Sequence, residues 1–182
     1  GRTLRFRGAA LASISAVMQF GLRSRLSEGT GHELEIAGGV ASEVAPCGCP
    51  AGTAIEIRNL FYNTPVRRKF LRTVTTELGH ATEAFSRIAL AHPDIHFTLA
   101  HNGRTAHDLP ADDNWRCRIA ARFGQELSEG LILLESDDDA CRLSGYVAHP
   151  DHSRSHNRMQ YLFLNGRCIR DRALQHALGE AY

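Results

Sequence analysis

Apolar positions recur along this chain in two periods. Residues 8–18 place Leu11, Ile14, Ser15 and Met18 at helical spacing and predict a helix opening at Gly8. Gln19–Arg25 reads as a strand. Residues 32–37 and 40–45 alternate apolar with polar side chains and predict a hairpin turning at Gly38 and Gly39. The stretch 46–52 is rich in Pro, Cys and Gly and reads as a loop. Residues 54–58 form a strand with Ile55 and Ile57 on one face. The clearest helix covers 75–92, with Leu78, Ala81, Phe85, Ile88 and Ala89 at helical spacing, Thr75 or Thr76 as its cap and Pro93 ending it. Strands 95–100 and 104–108 flank Asn102-Gly103, a hairpin signal.

The polar, proline-bearing stretch 110–114 separates this block from a second one with its own apolar pattern. There the sequence predicts a helix over 115–124 ended by Gly124, strands over 130–135 and 141–148, a polar loop over 149–158, a strand over 159–164 and a helix over 171–182. Tyr161 and Phe163 alternate with Leu162 and Leu164, which suits a sheet covered on both faces, or on one face by a helix. The expected fold class is α+β, in two units, 1–110 and 111–182.

Composition narrows the functional classes. A chain of 182 residues holds one ordinary domain or two small ones. The net charge of +1 is silent, but its distribution is not. Carboxylates gather at Asp112-Asp113 and at 137–139, and cations at 67–72 and 167–172. Such segregation is either solvated surface or a face that meets a polyanion. Lys69 is the only lysine among 21 basic residues, so arginine abundance alone says little about phosphate binding. Five cysteines, odd in number and widely spread, do not read as a disulfide framework. With no signal peptide and no long apolar run, the expectation is a soluble intracellular protein. Cys47-Gly48-Cys49 has no second ligand pair to complete a zinc site and reads as loop cysteines, and His149, His152 and His156 as a polar loop. No Ser-His-Asp order and no P-loop occurs.

Three segments carry more. Gly52-Thr53 leads into the strand ending at Arg58, followed by Asn59-Leu60-Phe61-Tyr62-Asn63-Thr64-Pro65-Val66-Arg67-Arg68-Lys69-Phe70-Leu71. Five cations fall from Arg58 to Arg72, and the next carboxylate is Glu77. Upstream stands Phe6-Arg7-Gly8-Ala9-Ala10-Leu11-Ala12-Ser13-Ile14, and near the end Gln160-Tyr161-Leu162-Phe163-Leu164-Asn165-Gly166-Arg167-Cys168-Ile169-Arg170-Asp171. In this order the three resemble motifs of the MutL family of DNA mismatch-repair proteins. The first differs from the family pattern only at Val66, where the family has Ala. The resemblance runs through the chain and is weaker over 26–50.

The resemblance implies the C-terminal half of a GHKL (Bergerat) ATP-binding α/β sandwich over 1–110. Most of a ribosomal-protein-S5-like transducer domain follows over 111–182. It implies that Arg7, Gly8, Ala9, Ala10 and Leu11 contact ATP phosphates through unpaired amides at a helix start, where glycine allows close approach. The residues alone favour a plain glycine-initiated core helix; the resemblance turns the balance to phosphate contact. Arg5 and Ala9 depart from the family's Gly and Glu, which bears on lid closure rather than on backbone donors. Thr53 would join the adenine-side hydrogen-bond network; taken alone it is a β-branched strand residue. Arg72, Arg87 and Arg167 fall at positions matching the family's DNA groove; the other reading is surface cations, with Arg72 paired to Glu77. Phe70 and Leu71 read as core.

The family's catalytic glutamate and magnesium-binding asparagine lie upstream of Gly1, and its nucleotide-contacting lysine beyond Tyr182. The chain therefore reads as an internal piece of a larger protein and is expected not to hydrolyse ATP alone. The intact protein would bind ATP and Mg, dimerise on ATP binding and work with DNA, a MutS-like mismatch-recognition protein and other repair factors, in the bacterial cytoplasm or the eukaryotic nucleus. Two alternatives remain at this point. One is a gyrase-like or heat-shock-chaperone-like ATPase, which the 63–71 segment disfavours. The other is a non-enzymatic S5-like nucleic-acid-binding module, which leaves 52–71 unexplained.

Overall fold

The computed structural model describes residues 9–139, 141–149 and 159–181. The elements are α1 (Ala9–Ser15), β1 (Gln19–Arg25), β2 (Gly31–Ala37), β3 (Val40–Ala41), β4 (Ala45–Cys47), β5 (Gly52–Arg58), α2 (Pro65–Arg68), α3 (Val74–Ala91), β6 (Phe97–His101), β7 (Arg104–Leu109), α4 (Trp115–Phe123), α5 (Gln125–Glu129), β8 (Leu131–Asp137), β9 (Arg142–Ala148), β10 (Leu162–Leu164), β11 (Arg167–Ile169) and α6 (Arg172–Glu180). They fall into two compact units, Gly1–Val74 and Thr75–Tyr182. This division lies upstream of the 110–114 boundary read from the sequence, because α3 and the β6–β7 hairpin bond to α4 within the second unit.

Unit 1 is a five-stranded antiparallel sheet in the order β3-β2-β1-β5, with β4 also paired to β2. The register lines up Ile36, Phe20 and Ile57 across three strands, and Leu34, Leu22 and Ile55 beside them. Period-two alternation thus puts all six on one face. The opposite face is polar, with Arg23 paired to Glu33 at 3.3 Å and Arg58 to Glu56 at 2.6 Å. Phe20 and Met18 are buried, whereas Ile55 and Ile57 on the edge strand are each 50% exposed.

Two expectations shift here. The hairpin turns at Gly38 and Gly39, both at positive φ, as a tight turn requires. Its second arm is not one strand, however. Ser42 caps Glu35 by backbone and side chain, which splits the arm into β3 and β4. The helix ends at Ser15 rather than at residue 18, because the carbonyls of Ser15, Ala16 and Val17 accept from Gly39, Asn63 and Phe61.

In unit 2, α3 starts at Val74, so Thr75 and Thr76 lie inside its first turn and not at the cap. Its buried stripe holds Ser86, Ala89 and Leu90, while Ile88 is exposed. The stripe is rotated from the apolar pattern because Ser86 is satisfied in place: its hydroxyl donates to the Thr82 carbonyl at 2.7 Å and accepts from Arg122 Nε at 2.7 Å. Asn102-Gly103 makes the β6–β7 turn at positive φ. Asn114 caps α4, Gly124 ends it, and Asp171 caps α6. Tyr161 packs on Phe123, with ring centroids 5.8 Å apart, and Phe163 on Trp115 at 6.5 Å. Leu164 faces solvent, so the strand is covered on one side.

The centre of unit 2 is charged. Arg118 is 1% exposed. Its guanidinium donates to the carbonyls of Leu109 at 2.9 Å and of Pro93 and Ile95 at 2.6 Å each, and lies over the Phe97 ring. One cation therefore joins α4 to the α3–β6 connection and to the end of β7. Burial lowers its pKa, opposed by the carboxylates of Asp112 and Asp94. Replacing Arg118 with Ala would strand three carbonyls and open a cavity, at a cost of about 3–5 kcal/mol. Urea denaturation of the two proteins measures this; a loss below about 1 kcal/mol would rule out the bridging role.

His107, half-buried and stacked on Phe85, has its pKa lowered first by burial and then by Arg122. The folded protein thus holds this proton more weakly than the unfolded chain does. His107 therefore makes stability fall as pH drops below the ordinary histidine value, until the depressed folded pKa is passed. The expected result is that His107→Gln flattens the decline in Tm below pH 6.5, the ordinary histidine value. Parallel declines in the two proteins would contradict it.

Candidate functional site

The residues singled out by sequence fall in both units. Arg7 and Gly8 lie outside the described residues. Ala9, Ala10 and Leu11 open α1, whose first turn carries no carboxylate. That leaves the positive end of the helix uncompensated by its own side chains, which suits an anion. Thr53 sits near the start of β5, its hydroxyl 2.9 Å from that of Ser24 in the cross-strand pair. Its described partner is thus a neighbouring strand, and each hydroxyl keeps two further hydrogen-bonding positions for solvent or a ligand.

The far end of α1 is held by the loop after β5. The Phe61 backbone N–H donates to the Val17 carbonyl at 2.8 Å, the Asn63 side-chain amide to the Ala16 carbonyl at 2.9 Å, and the Asn59 side-chain amide to Gln19 Oε1 at 2.7 Å. Asn59 and Phe61 both adopt positive φ, at 52° and 62°. A Cβ on Gly38 would come within 2.9 Å of the Tyr62 hydroxyl, so this loop also closes over the β2–β3 turn. Immediately afterwards Pro65 starts α2, with Arg67 and Arg68 in its last turn and Lys69 as its C-cap. One short stretch therefore ties α1 to the basic segment. Sequence reading named Asn63 only as part of a motif and did not assign it this bond.

The cations separate into two kinds. Arg67, Arg68, Lys69 and Arg72 are exposed in unit 1, and Arg167 is exposed on β11 in unit 2. Arg87 is half-buried and paired to Glu83 at 2.7 Å, with the Glu83 carboxylate also accepting from Tyr161. Burial and that carboxylate push the Tyr161 phenol up to about 12. Arg87 is thus already engaged within unit 2. On α4, Arg116 donates to the carbonyls of Ser128 and Leu131, and Arg122 donates to Ser86. Phe70, expected in the core, is 78% exposed, and Leu71 is exposed as well; both follow the end of α2.

β11 was missed in sequence. Its signal was present: Asn165-Gly166, at φ 50° and 74°, between two apolar-bearing triplets. A cleft of about 420 Å³ in unit 2 is lined by Asp112, Asp113, Glu135, Trp115 and Tyr146. Three carboxylates make it unsuited to phosphate. Among the described residues no group of three or more His, Cys, Asp or Glu could hold a metal ion.

Comparison with known proteins places this geometry. The family described as "DNA mismatch repair protein, C-terminal domain" matches residues 119–182. The DNA mismatch repair protein MutL of Anaeromyxobacter sp. (strain K) is 43% identical over 181 residues, covering 99% of this chain and 30% of that protein. The Xylella fastidiosa MutL is 42% identical over 182 residues and 29% of its length. Among solved structures, the Aquifex aeolicus MutL ATPase domain complexed with ADP superposes with a TM-score of 0.80 at 32% identity, covering 95% of this chain and 67% of that one. The N-terminal domain of a DNA repair protein gives 0.82 at 20% identity and supports the fold alone.

The fold is the α+β arrangement of a mismatch-repair ATPase region. The chain belongs to the MutL family, and it spans about 30% of the length of the curated relatives it matches. A stand-alone S5-like module does not account for a match that extends over 99% of the chain and so includes 52–71.

Proposed function

We propose that this chain is the part of a MutL-like mismatch-repair protein that links an ATP site to a DNA-contacting surface. The observation that carries this reading is the loop 59–63, which bonds to the end of α1 on one side and runs into the exposed basic segment on the other. Arg7, Gly8, Ala9, Ala10 and Leu11 would hold phosphates through backbone amides, and Thr53 would sit on the adenine side. Support comes from a related ATPase domain complexed with ADP and from a helix start free of carboxylates. ATP would bring the phosphoanhydride whose hydrolysis drives the cycle; Mg would be held by phosphate oxygens and by residues outside this chain. Residues 1–110 would then be the nucleotide-domain share and 111–182 the transducer share, with the family-matched residues 119–182 inside the latter.

In the longer protein, nucleotide binding at α1 would shift the loop and the cations beyond it, promote homodimer formation and change contacts to DNA and to a mismatch-recognition partner. The half-exposed Ile55 and Ile57 and the exposed Phe70 would pack against other parts of that protein. No helix among the described residues is long and apolar enough to cross a membrane.

Arg72, Arg87 and Arg167 would contact phosphates, Arg72 and Arg167 contributing most. Phosphate contacts release counterions, with a log–log salt slope of about −0.9 per neutralised phosphate on duplex DNA. Arg72→Glu and Arg167→Glu should each weaken binding equally for two unrelated duplexes and make the slope shallower by roughly one or two units. Fluorescence anisotropy over a salt series, with melting curves to confirm folding, reads this directly. Unchanged affinity and slope in both variants would return these arginines to the status of solvated surface.

A further inference from the structure

We propose that Cys47 and Cys49 form a dithiol that closes reversibly to a disulfide by exchange with small-molecule disulfides. In an extended strand, residues i and i+2 are about 6.8 Å apart, too far for a bridge whose Cβ atoms sit about 3.8 Å apart. This chain avoids that geometry. β4 ends at Cys47, and Gly48, whose own Cβ would touch nothing, carries the backbone out of the strand.

The Cys49 sulfur is then folded back over β2. A Cβ on Gly31 would lie 2.6 Å from it and 2.7 Å from the Cys47 carbonyl. Gly31 is the register partner of Cys47, so the residue opposite the pair has no side chain to keep the sulfurs apart. Both cysteines are half-buried and free, whereas Cys117, Cys141 and Cys168 are exposed on other elements. Partial burial, followed by the adjacent Cys49 thiol and Glu33, raises the Cys47 pKa, and Arg23 opposes this. The Cys49 sulfur and the Cys47 backbone thus meet at the same residue, Gly31. The pair lies just upstream of Gly52-Thr53, so closure would stiffen the β4–β5 connection.

The exchange balances without further reagents. One thiolate of the pair attacks a sulfur of glutathione disulfide, breaking its S–S bond and releasing one glutathione. The second thiol loses its proton and attacks the mixed disulfide, forming the Cys47–Cys49 bond and releasing the other glutathione. Two protein thiols are oxidised, and one disulfide is reduced to two thiols.

The test uses the full-length protein carrying this chain. Trypsin cuts after Arg25 and Arg58 and at no basic residue between them, so the peptide 26–58 holds Cys47 and Cys49 and no other cysteine. The protein is equilibrated in glutathione buffers of increasing oxidised-to-reduced ratio, alkylated and digested, and the same series is run on the synthetic peptide. The expected result is a 26–58 peptide lighter by two hydrogens and carrying no alkyl group. It should appear in the folded protein at a ratio about tenfold lower than in the free peptide. Cys47→Ser and Cys49→Ser should each stop at the mixed disulfide. If the folded protein closes no more readily than the peptide, or carries two glutathiones or two alkyl groups throughout, the proposal is overturned.

Discussion

A buried guanidinium whose hydrogen bonds go to no carboxylate must be satisfied by dipoles, and unit 2 is organised around that requirement. Arg118 draws the carbonyls of Leu109, Pro93 and Ile95 to one point. Those three come from the end of β7 and from the turn after α3, so the position of α4 fixes both. Trp115, a turn earlier on α4, donates to the Leu90 carbonyl at 3.0 Å and extends the same attachment to the last turn of α3. Arg122, a turn later, reaches Ser86 and keeps a polar face of α3 buried. Apolar packing of Phe85, Phe97 and Leu109 then surrounds a polar frame whose donors and acceptors are matched. Arg118 Nε is an exception, a buried donor with no partner.

This use of arginine bears on function. A chain with 20 arginines and one lysine invites a nucleic-acid reading wherever cations cluster. The structure removes Arg116, Arg118 and Arg122 from that pool, since their guanidinium groups serve carbonyls and a buried hydroxyl. Arg87 is held by Glu83. The exposed run at 67–72 stands in a different relation to the fold: the loop before it is anchored to α1 through Asn63 and Phe61. The Asn63 side chain and the Phe61 backbone N–H separate such a loop from a passive connector. They tie the exposed basic segment to the far end of α1.

Much of the fold was legible in the sequence. Strand β1, the glycine turns at 38–39 and 102–103, the Gly124 helix stop and the long α3 were all read from period and turn chemistry. The family followed from three ordered motifs. What was not legible depends on partners distant in sequence. No local pattern shows that Arg118 turns inward, that Ser86 belongs in a core, or that Ser42 splits a strand. The ends of α1 and the apolar register across β2, β1 and β5 are tertiary facts of the same kind. For the site, motif reading supplied candidate residues, while the bonds of Asn59 and Asn63 that connect them needed coordinates. Phe70 and Leu71 were read as core from residue type alone, which carries no information on whether a covering element is at hand.

The central claim is that the arginines divide into internal bridges and a DNA-facing set. Modification of the full-length protein by an arginine-specific dicarbonyl, with and without duplex DNA, tests it most directly. Arg67, Arg68 and Arg72 should react quickly and be protected by DNA at low salt, while Arg116, Arg118 and Arg122 should stay unmodified until the protein is unfolded. Reaction of Arg118 at the rate of Arg67, or DNA protection absent from all of 67–72, would contradict the account.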